Sequence, residues 1–386
     1  MPGSARQRET RGYPAARAAS PVVEAHFARH LAEARDRGRE PLASLPDAAT
    51  IEAVIDAAFW ASLRREEGYV PKISLAYLSP EEAVHPLLFE RPMPLEPAAL
   101  TRVAPAVERP GIHLGVWHDG SELAVWGTTR TTPTLCFVLE VSAPGLLVVK
   151  HHSGEESGKF VNVAVIEGDQ VKVVDEQASQ LPGCPALLTS LLGFDSPGSW
   201  VRSVNVLVQL AVSMRAHEHG GSLLVVPSGS ESWRESIVWP MPYAVLPPFS
   251  ELAILSREIP REKEGRGWQE ALGRTVEAIA GLTAVDGAVV LTDGYELLGF
   301  GAKIGGRKGC PQVDQVTVTE PVLGGTPAVV HPEQLGGTRH LSATQFVQDQ
   351  RDAVALVASQ DGRFTIFEWS PCEAMVHAHR IEALLL

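Results

Sequence analysis

Between residues 110 and 180 the apolar residues come in short runs cut by turn dipeptides. That punctuation limits what the chain can fold into more than any other feature. The runs Ile112–Trp117, Glu122–Gly127, Leu135–Val141, Leu146–Lys150, Val161–Ile166 and Val171–Val174 are rich in β-branched residues. His118-Asp119-Gly120, Pro144-Gly145 and Gly168-Asp169 fall between them and favour tight reversals. Strands so short and close in sequence pair with their chain neighbours, so an antiparallel sheet module is expected here.

The flanks have a different period. Residues 1–20 carry Arg6, Arg8, Arg11 and Arg17 against Glu9 and read as a disordered basic head. A helical pattern runs from Val22 to about Arg37. A clearer one follows, in which Ile51, Val54, Ile55, Ala58, Phe59 and Leu63 repeat every three or four residues behind a capping Asp47. Pro182, Gly183, Pro185 and Ser196-Pro197-Gly198 break the strand pattern, which places a domain boundary near 195.

Beyond that boundary both periods mix. Helices are expected at Val204–His217, Trp268–Leu282 and Thr338–Gln350, and a buried strand at Ser222–Pro227. Hairpins are expected at Ala288–Thr292/Tyr295–Ile304 and Ala353–Ser359/Arg363–Glu368, with a further strand at Val313–Thr319. The pattern leaves residues 371–386 open between helix and strand. The fold class is therefore α+β or mixed α/β: a mixed sheet flanked by helices, preceded by a β-rich module with helices ahead of it. The organisation read is a disordered or partly helical head at 1–40, an N-terminal domain at 41–195 and a second domain at 196–386.

Composition excludes several classes of function. With 33 Lys+Arg against 46 Asp+Glu the net charge is −13, so nothing global draws the chain to nucleic acid or an anionic membrane. No window is long and apolar enough to span a bilayer, and no signal-peptide core opens the sequence. Cys136, Cys184, Cys310 and Cys372 are widely spaced, as expected of reduced, mostly buried thiols in a cytoplasmic protein.

Several motifs carry little. The pairs His151-His152, His217/His219 and His377/His379 lack a third ligand at metal-site spacing. Gly154–Lys159 is one residue short of a phosphate loop, and Phe160 stands where a Ser or Thr would hold magnesium. Two later segments say more. Asp286-Gly287-Ala288 offers a carboxylate followed by two residues with little or no side chain, so a ligand can approach the backbone closely. Gly336-Gly337-Thr338-Arg339-His340 opens a helix with free N–H groups and added donors, a combination suited to an anion such as a triphosphate. A carboxylate beside a phosphate site is a natural ligand for magnesium or manganese.

The order of these elements resembles the diadenylate cyclase (DAC) domain, which joins two ATP molecules into cyclic di-AMP. The resemblance spans roughly residues 200–370. It rests on His219-Gly220-Gly221-Ser222 entering a strand, Asp286-Gly287-Ala288, Gly337-Thr338-Arg339-His340 followed by Ser342-Ala343, and a strand ending in Ser359. It implies that Asp286 is metal ligand and activator, that Thr338, Arg339 and His340 hold the triphosphate, and that Gly287, Ala288, Gly337 and Ser359 line the nucleotide. Mg²⁺ or Mn²⁺ would be the cofactor, with Asp361 as a second candidate ligand. The partners would be ATP or a related nucleotide and further copies of the chain, as a homodimer or larger oligomer. A DACNV-like sensor domain would precede the cyclase. The sequence departs from the family pattern at Leu341, where a second arginine is usual, at Gln360-Asp361 in place of two acids, and at Val285 in place of a histidine. These departures leave an alternative, a DAC-like module that binds a nucleotide and senses it without synthesis.

Overall fold

A computed structural model describes residues 12–38, 41–65, 68–120, 122–152, 160–175, 206–257 and 265–386. The segment Gly154–Lys159, Cys184, most of the basic head and the boundary expected near 195 lie outside the described residues. The chain forms two compact units, the first running to Val174 and the second from Asp175 to Leu385. Each is built on a mixed sheet with helices, so the fold is α+β. Among the described residues no helix is long and apolar enough to cross a membrane.

Two helices open the first unit, α1 (Pro14–Asp36) and α2 (Ala48–Ser62). From Pro14 on, helix α1 corrects the reading of the head as disordered, because Ala15, Ala16, Ala19 and Val23 form a buried stripe that continues to Phe27. Small side chains let the helix pack closely, and an alanine-rich stripe scores too low in hydrophobicity to stand out in sequence. Pro14 suits the first helical position. Pro21 lies inside the helix and deprives the Arg17 carbonyl of its usual donor; the Ser20 hydroxyl meets that carbonyl at 3.4 Å. Helix α2 starts as its sequence predicts, with Asp47 Oδ1 accepting the Thr50 N–H at 2.8 Å. Ile51, Val54, Ile55 and Ala58 are buried, whereas Leu63 falls at the C-cap and is exposed.

The sheet of this unit comprises β1 (Ile73–Tyr77), β2 (Leu87–Pro94), β3 (His113–Asp119), β4 (Glu122–Thr129), β5 (Phe137–Ala143), β6 (Leu146–His152), β7 (Phe160–Glu167) and β8 (Gln170–Val173). Helix α3 (Pro97–Val103) lies between β2 and β3 in the chain. The strand order is β2-β4-β3-β1-β5-β6-β7-β8. All neighbours are antiparallel except β1 and β3, so the expected antiparallel module holds from β5 to β8 and needs amendment at its centre. Strand β1 is buried at every position and so shows no alternation to read.

One face of the sheet packs on α1 and α2, and Ala76, Leu78, Trp126, Cys136 and Val138 cluster on the other. The Cys136 thiol is buried, and burial pushes its pKa up. Cys310 and Cys372 are exposed, contrary to the expectation that the thiols are mostly buried.

His113 on β3 is 1% exposed, with Nδ1 2.7 Å from the Ser74 hydroxyl. Burial lowers its pKa to about 4. The unfolded chain, with a histidine near its ordinary value of about 6.5, therefore binds the proton first as pH falls. Stability is full above about pH 6.5 and is lost progressively down to about pH 4, on the order of 3 kcal/mol from this residue. Urea unfolding of His113→Gln against the wild type across that range should show the wild type losing its relative advantage as the medium is acidified.

The second unit has a nine-stranded sheet in the order β10-β12-β11-β9-β15-β16-β17-β13-β14. Its strands are β9 (Gly221–Val226), β10 (Tyr243–Phe249), β11 (Ala288–Thr292), β12 (Leu297–Ala302), β13 (Val316–Thr319), β14 (Ala328–Val330), β15 (Val354–Ala358), β16 (Phe364–Ser370) and β17 (Met375–Arg380). Pairs β9/β11 and β13/β17 are parallel and the remaining neighbours antiparallel. The helices are α4 (Val206–Ala216), α5 (Glu251–Arg257), α6 (Gly265–Leu282), α7 (Thr338–Asp349) and α8 (Glu382–Leu385). Helix α7 buries Ala343, Phe346 and Val347 in the cluster formed with Leu224, Val290, Ala355 and Phe367. Residues 371–386, which the pattern left open, contain both β17 and α8.

Candidate functional site

Strand polarity gathers the distant motifs. Ala288 pairs with Ser222, Gly221 with Ala358, Ala358 with Phe364, Thr365 with Arg380, and Ala302 with Ala288. Strands β9, β11 and β16 therefore start, and β12, β15 and β17 end, on one edge of the sheet. Asp286-Gly287, Gly220, Ser359–Asp361, Arg363, Arg380 and Lys303 all sit along that edge.

Helix α7 brings its first turn to the same place. Gly337 is its N-cap and supplies no capping side chain, and Thr338 is exposed. Arg339 reaches across the entry to β9. A Cβ placed on Gly220 would lie 2.8 Å from Arg339 Nη1, 3.2 Å from the Ala358 carbonyl oxygen and 3.3 Å from Gln360 Cγ. Gly220 also has φ +67°, so a glycine here satisfies the backbone and leaves room for the guanidinium.

Asp286 projects into solvent with its side chain 90% exposed, and Lys303 Nζ stands 3.9 Å from its Oδ2. Behind it, Gly287 has φ +102°, and a Cβ there would fall 2.5 Å from the Gly301 carbonyl carbon. The aspartate is thus held at the start of β11 by a backbone approach that only glycine allows. Ala288 is buried in the cluster beneath α7, so its methyl packs inward and does not line an open surface.

His340 is also placed inside. It is 3% exposed, its ring meets Phe367 edge-on at 6.0 Å, and its Nε2 is buried with no hydrogen-bond partner. Burial and then the charge of Arg380 hold its pKa below the ordinary value. That direction favours the neutral imidazole, which adds no charge beside Arg339. At the β15–β16 hairpin the Ser359 hydroxyl donates to Asp361 Oδ1, while Asp361 Oδ2 lies 3.3 Å from Arg363 Nε. That hydrogen bond, with Arg363, keeps the Asp361 pKa low, and the carboxylate serves the turn. Among the described residues no group of three or more His, Cys, Asp or Glu side chains is arranged to hold a metal ion.

The structure adds residues that the motifs did not indicate. Arg380 ends β17 on the α7 side of the sheet, because it alternates with Val376 and Ala378 of the α7 cluster. Arg363 enters through the hairpin, and Lys303 through the end of β12. His217, just past α4, has Nε2 3.0 Å from Thr283 Oγ1 and accepts the His219 N–H at Nδ1. Burial, His219 and Arg339 lower its pKa. No local spacing signals Arg380, Arg363 or Lys303, because strand pairing alone makes them neighbours, whereas His217 belongs to the pair His217/His219 noted in the sequence. The pair His377/His379 is partnered, His377 Nε2 with Glu373 at 2.9 Å and His379 Nδ1 with Thr319 Oγ1 at 2.6 Å.

The first unit supplies the observation that decides part of the chain's nature. Residues 40–130 match the family model of the probable sensor domain DACNV. The match takes in α2, β1–β4 and α3, while β5–β8 continue the same sheet beyond it. The DACNV segment therefore supplies half of the strands in a larger folded unit. No curated protein matches the chain.

Proposed function

We propose that the second unit is a metal-dependent nucleotidyltransferase of the diadenylate cyclase type, working under the control of the DACNV sensor. The observation that carries this reading is the single sheet edge on which Asp286, Arg339 and the uncapped first turn of α7 meet. An exposed carboxylate fits Mg²⁺ or Mn²⁺, which bind through one or two carboxylates and complete their shell with water and phosphate oxygens. Asp286 would hold the ion, which when bound would neutralise phosphate charge. Arg339 and the N–H groups of α7 bind the triphosphate, and Gly287, close against Gly301, holds Asp286 at the start of β11. In the reaction a ribose 3′-oxygen bonds to the α-phosphorus of a second ATP and pyrophosphate leaves. Two such steps give cyclic di-AMP and two pyrophosphates. The chain's contribution is positioning and charge. Two nucleotide sites must face each other, so the reading includes a homodimer or larger oligomer.

The alternative, nucleotide sensing without synthesis, is favoured by a specific observation. Gln360 stands where an acid is usual and directs its Nε2 toward the His219 carbonyl, while Asp361 is engaged in its turn. Incubating the purified protein with ATP and Mn²⁺ or Mg²⁺, followed by mass spectrometry, separates the two. Cyclic dinucleotide is the expected product; tight ATP binding with no product at any protein concentration favours the sensor. Under either reading Arg339→Ala is expected to weaken ATP binding roughly 10- to 100-fold, the range for a lost hydrogen bond to a charged group. Calorimetric titration checks it.

A further inference from the structure

At the β10 end of the sheet edge that carries Asp286, the exposed side chains change from charged to aromatic. Tyr243 opens β10 and pairs with Phe300 of β12, and their rings stack with centroids 4.7 Å apart at an interplanar angle of 15°. Phe300 packs on one face of the tyrosine ring, and Tyr243 remains 50% exposed. Gly301, at φ +70°, makes room for it. A Cβ there would lie 2.9 Å from Tyr243 Cδ2 and 3.6 Å from the Asp286 carbonyl oxygen. The tyrosine ring and the Asp286 backbone therefore stand on either side of one glycine. The Val238 N–H donates to the Lys303 carbonyl at 2.8 Å, which brings Val238 and Trp239, 52% and 44% exposed, to the same end of β12.

The strand order sorts these groups by chemistry. From β10 through β12, β11 and β9 to β17 the edge presents Tyr243, then Lys303 and Asp286, then Arg339 at the entry to β9, then Arg363 and Arg380. Adjacent strands lie about 4.8 Å apart, so the step from β10 to β9 is roughly 14 Å. A nucleoside triphosphate has the same order along its length: a flat apolar base, a ribose and a polyanionic tail. With the phosphates at Arg339 and the first turn of α7, an extended nucleotide laid along the edge brings its base to β10.

We propose that Tyr243 is the platform on which the base of the bound nucleotide stacks, with Phe300 supporting the ring from behind. The inference rests on the nucleotide reading of the site and extends it to the base. Stacking uses the π face that every base has, so it selects a nucleotide over an inorganic polyphosphate and leaves the identity of the base unread. Tyr243 follows Pro240 and Pro242 in a segment that does not read as a strand, and only its pairing with β12 brings it to the site.

The test is calorimetric titration of the purified full chain with ATP and, separately, with inorganic tripolyphosphate, without added metal so that no turnover intervenes. Tyr243→Ala should weaken ATP binding about 5- to 150-fold and leave tripolyphosphate within about twofold of the wild type. Tyr243→Phe keeps the ring and should change neither. Leu246→Ala, at a 92% exposed position of the same strand, should also change neither. Urea unfolding verifies that Tyr243→Ala is folded; Tyr243→Leu, which keeps apolar bulk and removes the π face, carries the same expectation if it is not. Equal loss toward both ligands in a folded variant, or no loss toward ATP, overturns the platform. A changed oligomeric state by light scattering with ATP affinity intact also overturns it, and assigns the ring to an interface between copies of the chain. A wild type that binds neither ATP nor tripolyphosphate overturns the nucleotide reading itself, and the platform with it.

Discussion

Asp286→Asn is expected to lower cyclic dinucleotide synthesis by about 100-fold or more while leaving ATP binding within a few fold of the wild type. The substitution keeps shape and removes the charge that a magnesium or manganese ion requires. Affinity for the triphosphate is assigned to Arg339 and the first turn of α7, which the change does not touch. Stability should barely move, because Asp286 pairs with Lys303 at 3.9 Å and their side chains are 90% and 66% exposed. Exposed pairs at such separations contribute little. Product formation and nucleotide binding measured on the same preparation check the split. Equal loss of both would place Asp286 in binding alone, and unchanged synthesis would remove it from the site.

Gly287→Ala should have the largest effect on stability, a loss of about 2–5 kcal/mol in the second unit. Two costs add. A non-glycine residue at φ +102° costs on the order of 1–3 kcal/mol, and overpacking a methyl costs about as much again. The methyl would stand 2.5 Å from the Gly301 carbonyl carbon, and a sheet backbone cannot turn aside as a flexible side chain can. Gly273→Ala on α6 is the companion measurement. Nothing lies within 4 Å of a Cβ there, so the exchange should stabilise by up to about 1 kcal/mol through helix propensity. Urea midpoints of the two variants should move in opposite directions.

Features set by local chemistry were legible in the sequence. Asp47 caps α2 as its spacing predicts, the turn dipeptides fall between strands, and Gly337 opens α7. Other features were not: β1, buried at every position, has no alternation, and the alanine stripe of α1 starts within what reads as a basic head. Strand β10, with Pro247 and Pro248 inside it, does not read as a strand, yet it pairs as the sheet's edge strand, where a missing donor matters least. The site divides in the same way. Asp286-Gly287 and Thr338-Arg339 are contiguous motifs and could be found. Arg363, Arg380 and Lys303 belong to the site only through the pairing of β9, β11, β12, β15, β16 and β17, which no window of sequence contains. His340 belongs to a contiguous motif too, but the motif gives no hint that the ring turns inward against Phe367.

The position of β1 bears on how the sensor is divided for study. It lies between β3, inside the DACNV match, and β5, outside it. A fragment cut at residue 130 would strip β5 from the middle of a continuous hydrogen-bonded layer and leave a fully buried strand with an open edge, an invitation to intermolecular pairing. The recognisable family segment is thus narrower than the compact unit that contains it, which takes in β5 to β8 as well.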